Sequence, residues 1–207
     1  MLEKGQRQSG FSLIELMMVV ALVCVLAGMA VIMTFSSTQT AKANNAMDAV
    51  VTVLRTGRQL AISKRRNVLV TFTAPNQIQL ALQTLPGETP VPPMAPVYLN
   101  DNAAGGLSFF VFPSLGDVPG GVGNDTAIKL VDTTTGGAPA AVMFNSSGTF
   151  VGSIQLPSYA GVGNNDPVNG TIFIGLPGYP NTARAITILG STGRVRTYTY
   201  SGVWQEQ

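Results

Sequence analysis

Ser9-Gly10-Phe11-Ser12-Leu13-Ile14-Glu15-Leu16 marks the point where a polar, basic start turns abruptly apolar. Lys4 and Arg7 precede it, and from Leu16 to Met33 no residue is charged. At about 1.5 Å per residue, a helix from Phe11 to Phe35 is long enough to cross a hydrocarbon core. Cations before such a segment predict that the leader stays cytoplasmic and the remainder is exported. An ordinary secretory signal should end in small residues of the Ala-x-Ala kind after a short apolar region. Here Thr34-Phe35-Ser36-Ser37-Thr38 is a weak site of that kind, and the apolar region is too long. A plain signal anchor accounts for length and charge but leaves Glu15 unexplained. A carboxylate near the start of a membrane helix is expensive and points to function by default, the bland alternative being a charge that snorkels from a helix end.

Polarity changes after Thr38, but helical signals continue. Met47, Val50, Val51, Leu54, Ala61 and Ile62 recur at three- and four-residue spacings, which predicts an apolar stripe. Lys64, Arg65 and Arg66 cluster where the helix should end, favourably placed against its negative dipole end. Gly57 is expected to loosen or kink it. One helix from about Ser12 to Lys64 follows, its membrane half first and its amphipathic half packed on a sheet. Later segments alternate as strands: Asn67–Thr73 and Gln77–Gln83 flank Ala74-Pro75-Asn76 as a hairpin. Further candidates are Leu107–Phe112, Ala127–Val131, Ala141–Phe144, Thr171–Leu176, Ala185–Leu189 and Arg194–Tyr200. Leu85–Pro96 is expected to be an extended, proline-rich surface loop. The fold class is therefore α+β, a long N-terminal helix on an antiparallel β-sheet head. The expected divisions are a leader over 1–10, a transmembrane helix over 11–36, an amphipathic helix over 37–66 and a β-rich head over 67–207.

Composition narrows the chemistry. In 207 residues there is no histidine, and the single cysteine, Cys24, lies inside the apolar run. Histidine-based triads, Cys–His pairs, ordinary zinc sites and an intramolecular disulfide are excluded. No enzyme, cofactor or metal is expected. The net charge of +2 is uninformative, but its distribution is not. Lys42, Arg55, Arg58, Lys64, Arg65 and Arg66 face only Asp48 along the rod, whereas the head is mildly acidic. Gly121-Val-Gly-Asn-Asp125 and Gly161-Val-Gly-Asn-Asn-Asp166 echo each other. Their oxygens suit either calcium or ordinary turns, with turns favoured.

Ser9-Gly10-Phe11-Ser12-Leu13-Ile14-Glu15-Leu16 resembles the prepilin cleavage and methylation motif of type IV pilins and type II secretion pseudopilins. The resemblance implies a prepilin peptidase that cuts between Gly10 and Phe11 and N-methylates Phe11. Glu15 falls where that family carries its glutamate. The new α-amino cation at Phe11, in the same or a neighbouring subunit, would make the buried carboxylate tolerable, and the pair would set the axial register between subunits. Major pilins commonly carry a proline where this chain has Ile32, and many close a C-terminal loop with a disulfide. Both absences lean toward a minor pilin or pseudopilin.

Leu54-Arg-Thr-Gly-Arg58-Gln-Leu-Ala61-Ile-Ser-Lys64-Arg-Arg-Asn67-Val68-Leu-Val70-Thr-Phe72, with Gly193-Arg194-Val195-Arg196 and a late Trp204, is similar to the GspH/FimT family of minor pseudopilins. GspH-type members imply a periplasmic pseudopilus that drives folded cargo outward. FimT-type members imply type IV pili and, in some, DNA binding through C-terminal basic residues. Strand alternation puts Arg194, Arg196, Tyr198 and Tyr200 on one face, where two guanidinium groups and two phenols would suit phosphates and bases. The favoured reading of that face is an edge strand charged against aggregation. Partners implied are the peptidase, other pilins or pseudopilins, the inner membrane and secreted cargo, with DNA the lesser alternative. The implied location is the bacterial inner membrane, single-pass, with a cytoplasmic leader and a periplasmic head, followed by incorporation into a pseudopilus or pilus.

Overall fold

Helical and strand periodicities follow one another along the chain, and the computed structural model describes residues 11–83, 91–99, 106–139, 141–153 and 166–207, with only the backbone described at 30–36. The expected leader over 1–10, including Gly10, lies outside the described residues, as do much of the proline-rich stretch and most of the second Gly-Asn-Asp segment. The chain divides into two compact units, one ending at Gln39 and the other Thr40–Gln207.

A single helix, α1 (Leu13–Lys64), runs through both sequence halves. In the first unit every described side chain from Phe11 to Met29 is exposed, so the apolar surface goes all the way round. Among the described residues no helix is long and apolar enough to cross a membrane. The side chains of Ala30–Ser36, the last part of the span expected from sequence, fall outside the described set.

In the second unit α1 becomes amphipathic. Ala43, Ala46, Met47, Val50, Val51, Val53, Leu54 and Ala61 are buried and form one core cluster with residues of both sheets. Ile62, expected in this stripe, is 46% exposed. It lies at the last turn, where the helix has begun to overhang the sheets. The helix is not broken at Gly57. A Cβ there would lie 3.0 Å from Leu80 Cδ2 and 3.4 Å from Phe144 Cδ2, so glycine serves close approach. Helix termination is a Schellman turn: Arg65 adopts φ 51°, Arg66 N–H donates to Ala61 O (3.2 Å) and Arg65 N–H to Ile62 O (3.4 Å).

The head contains β1 (Val68–Thr73), β2 (Gln77–Leu82), β3 (Val97–Tyr98), β4 (Ser108–Phe109), β5 (Ile128–Asp132), β6 (Ala141–Phe144), β7 (Phe150–Ser153), β8 (Val168–Leu176), β9 (Tyr179–Leu189), β10 (Arg194–Tyr200) and β11 (Trp204–Glu206). They form two antiparallel sheets, ordered β3-β2-β1-β6-β7 and β11-β10-β9-β8-β4, with β5 also on β8. The sheets meet where Phe150 N–H donates to Gly190 O (2.9 Å) and Gly152 N–H to Asp166 O (3.1 Å). In the second sheet Ile172, Ile174, Ile186 and Ile188 face the main core with α1. Phe173, Ala185 and Tyr198 face a smaller cluster with Val118, Val111 and Trp204. Central strands β8 and β9 are thus covered on both faces, which explains their nearly unbroken burial.

Several strands differ from expectation. β9 starts at Tyr179, well before Ala185, because Leu176-Pro177-Gly178-Tyr179 closes a tight hairpin with Gly178 at φ 85°. β4 is shorter than Leu107–Phe112, since Pro113 opens a 3-10 turn immediately after Phe112. The short strands β3, β7 and β11 were not anticipated, and the head has two sheets rather than one.

Replacing Gly57 with leucine should overpack Leu80 and Phe144, costing about 1–3 kcal/mol. The thermal midpoint should fall by several degrees with helicity retained, as circular dichroism would measure.

Candidate functional site

A helix that is apolar on every face cannot bury itself against one layer; it needs lipid or other helices around it. This character begins at Phe11, which is 84% exposed. Ser12 O accepts from Leu16 N–H (3.2 Å), so the helical bonding starts at Ser12. Glu15 therefore lies in the first turn, exposed, at the positive end of the helix dipole. The spacing Ser12-x-x-Glu15 is also that of a capping box, a local use of Glu15 that the sequence analysis did not weigh. Local capping and pairing with a neighbour's amine are compatible, since one carboxylate has several lone pairs. Phe11, Ser12 and Glu15 stand together at the start of an apolar rod, one turn apart.

The C-terminal face expected from alternation is only partly open. Arg194 and Arg196 are exposed, but Tyr198 is 2% exposed, covered by Val118, Phe173, Ala185 and Trp204. Its ring is not free to stack on a base. Tyr200 packs edge-on against Trp204, with ring centroids 5.3 Å apart. Trp204 is itself fixed by Phe173 (6.0 Å) and by its indole N–H on Gly116 O (3.3 Å). Arg196 Nε lies 3.5 Å from Glu206 Oε1. The Tyr198 side chain, through a hydrogen bond, and then Glu206 raise the Arg196 guanidinium above its ordinary value. The covering segment 111–118 and β11 are what the alternation pattern of β10 alone could not reveal.

The first Gly-Asn-Asp segment behaves as a loop. Val122 N–H donates to Thr171 Oγ1 (2.9 Å), and Lys129 Nζ binds Asp125 Oδ1 at 2.6 Å. The Lys129 hydrogen bond is the main cause that lowers the Asp125 carboxyl below its ordinary value. Among the described residues no group of His, Cys, Asp and Glu side chains is arranged to hold a metal ion.

One polar residue of consequence was missed. Arg184 on β9 is 3% exposed. Its Nε donates to Asn44 Oδ1 on α1 (2.7 Å), and Nη1 to Asn181 O (3.1 Å) and Ala183 O (2.8 Å). Burial pushes this guanidinium below its ordinary value. An arginine flanked by Ala183, Ala185 and Ile186 was the available signal. The Arg184–Asn44 bond ties the central sheet to the helix.

Residues 5–31 match the family model of the prokaryotic N-terminal methylation motif. The match supports pilin-family membership through the N-terminal segment, which holds Gly10, Phe11 and Glu15. No curated protein and no solved structure matches the chain.

Asn44→Ala should leave a buried charged donor without its partner and cost about 1–3 kcal/mol, seen as a lower denaturant midpoint. The Asp125–Lys129 pair carries an opposite pH signature. Its folded carboxyl pKa is depressed, so its contribution is present above the ordinary Asp value of about 3.9 and lost as pH falls through the lower folded value. NMR titration should place Asp125 below that ordinary value.

Proposed function

We propose that this chain is a minor subunit of a pilin-like filament, and more narrowly a GspH-like minor pseudopilin of a type II secretion system. The observation that carries the reading is the methylation-motif match over residues 5–31, which opens a helix exposing apolar side chains on every side. Prepilin peptidase hydrolyses the peptide bond after Gly10 and N-methylates the freed amine of Phe11. The helix from Phe11 holds the precursor in the inner membrane, with the head in the periplasm. Extraction from lipid exchanges acyl chains for the helices of neighbouring subunits, so apolar burial is conserved through assembly. Glu15 guides that exchange by pairing with an α-amino cation in the filament. The protein works by assembly rather than by catalysis, and its β-rich head contacts other minor subunits or secreted cargo.

The narrower secretion assignment rests on Leu54–Val68 and Gly193–Arg196. A FimT-like role in type IV pili uses the same anchor. The DNA contact it would bring is weakened by the Arg196–Glu206 pair and the covered Tyr198.

Mature protein recovered from the native host should begin with N-methylated Phe11, read by mass spectrometry of the N-terminal peptide. In a clean deletion and in a Glu15→Ala strain, exoproteins should accumulate in the periplasm. Incorporation of Glu15→Ala into filaments should fall at least about a hundredfold, since breaking a buried pair costs about 3–5 kcal/mol. An unchanged culture supernatant would sink the secretion assignment and direct attention to piliation.

A further inference from the structure

A groove of about 720 Å³ runs between the last turns of α1 and the start of β10, lined by Arg55, Arg58, Gln59, Ile62, Ser63 and the segment Thr192–Val195. Among the described residues its lining contains three arginines and no carboxylate. Arg58 Nε is engaged by Gly148 O (3.0 Å). Arg55 and Arg194 make no ion pair among the described residues and are exposed. The wall is not wholly polar, because Ile62 is unusually exposed there and Val195 is half-buried against the core.

The groove borders an incompletely paired sheet edge. β11 covers β10 only from Tyr198 to Tyr200. Gln207 N–H donates to Thr197 O (3.0 Å), so the main chain of Thr197 points away from β9. Antiparallel alternation puts the N–H and C=O of Val195 on that same side. Among the described residues no strand covers β10 there. Such an edge offers main-chain pairing to an extended polypeptide.

We propose that this edge and groove form a docking site for an extended acidic polypeptide segment of a partner protein, which adds as a strand beside Arg194–Arg196. Main-chain bonds to Val195 supply the pairing. Alternate side chains then fall either beside Arg194 or into the groove, where apolar groups meet Ile62 and Val195 and carboxylates meet Arg55 and Arg58. Three features favour polypeptide over nucleic acid. The open main chain is useless to a phosphate backbone, the described residues lining the groove include no aromatic ring for base stacking, and Tyr198 is covered. The site lies wholly within the unit Thr40–Gln207, so the proposal stands independently of how Phe11 and Glu15 act.

The test uses the full chain in detergent micelles and a fluorescent eight-residue peptide alternating glutamate and valine, read by anisotropy. Binding is expected, weakening as salt rises. It should be lost when alternate peptide nitrogens are methylated, a change that keeps charge but removes strand pairing. The Arg55→Gln/Arg194→Gln double variant should bind about tenfold more weakly. Both residues are exposed and form no ion pair among the described residues, so its circular dichroism should match the parent. A lysine–valine peptide should not bind. Failure of the acidic peptide to bind, equal binding of its N-methylated form, or displacement of the peptide by a short DNA duplex would each overturn the proposal.

Discussion

The head depends on one contact, the burial of the α1 stripe from Ala43 to Ala61 beneath both sheets. Val50 and Leu54 are fully enclosed and share a core with Ile78 and Leu80 of the first sheet and with Ile172 and Ile186 of the second. Neither sheet pairs strand-to-strand with the other along a full edge; β7 only touches the region around Pro167 and Gly190. The helix is therefore what makes one core of two sheets. Small residues at the contact, Ala43, Ala46, Gly57 and Ala61, let its backbone come close, and at Gly57 the neighbours already stand where a Cβ would crowd them.

The polar contacts at this seam sharpen the fit. Arg184 spends a buried charge on Asn44 and on carbonyls near its own strand. Replacing such a group with an apolar one of similar shape is often neutral, while removing only its partner is costly. Its value is therefore best sought in register: a helix rotated or slid by one residue would take Asn44 away from the buried Nε donor, while Nη1 keeps the carbonyls of Asn181 and Ala183. Near the other end of the seam the exposed Arg58 donates to Gly148 O. Asn44 and Arg58 lie near the two ends of the apolar stripe, so hydrogen bonds to the sheets hold the helix near both ends of the contact.

Much of this was legible in the sequence. Spacing of Met47, Val50, Val51, Leu54 and Ala61 places the stripe, and alternation across Ala74-Pro75-Asn76 places the first hairpin. The change from an all-apolar run to an amphipathic one separates the two environments of a single helix. What was not legible depends on contacts distant in sequence. Tyr198 alternates with the exposed Arg194 and Arg196, yet a segment eighty-odd residues earlier folds over it. Strands β3 and β11 are too short for any period to register, and β7 hides behind a serine–glycine turn. Gly57 looks like a weakness until Leu80 and Phe144 are seen beside it. At the N-terminus the position is reversed. Gly10-Phe11-x-x-x-Glu15 speaks more clearly as a pattern than as a shape, because on the proposed function its partners would be a peptidase and neighbouring chains.

These two kinds of information meet in the helix. Its first half exposes its described apolar side chains on every face; its second half buries one face in the core and carries Arg55 and Arg58 exposed on the other. Apolar burial is non-directional, whereas the seam at Ala43–Ala61 is fixed by shape and by hydrogen bonds, so the two halves of the helix suit different kinds of interaction. The division between the compact units at Gln39 and Thr40 falls between these two regimes. On the function and docking proposed above, substitutions at Glu15 and at Arg55 or Arg194 would act on different steps.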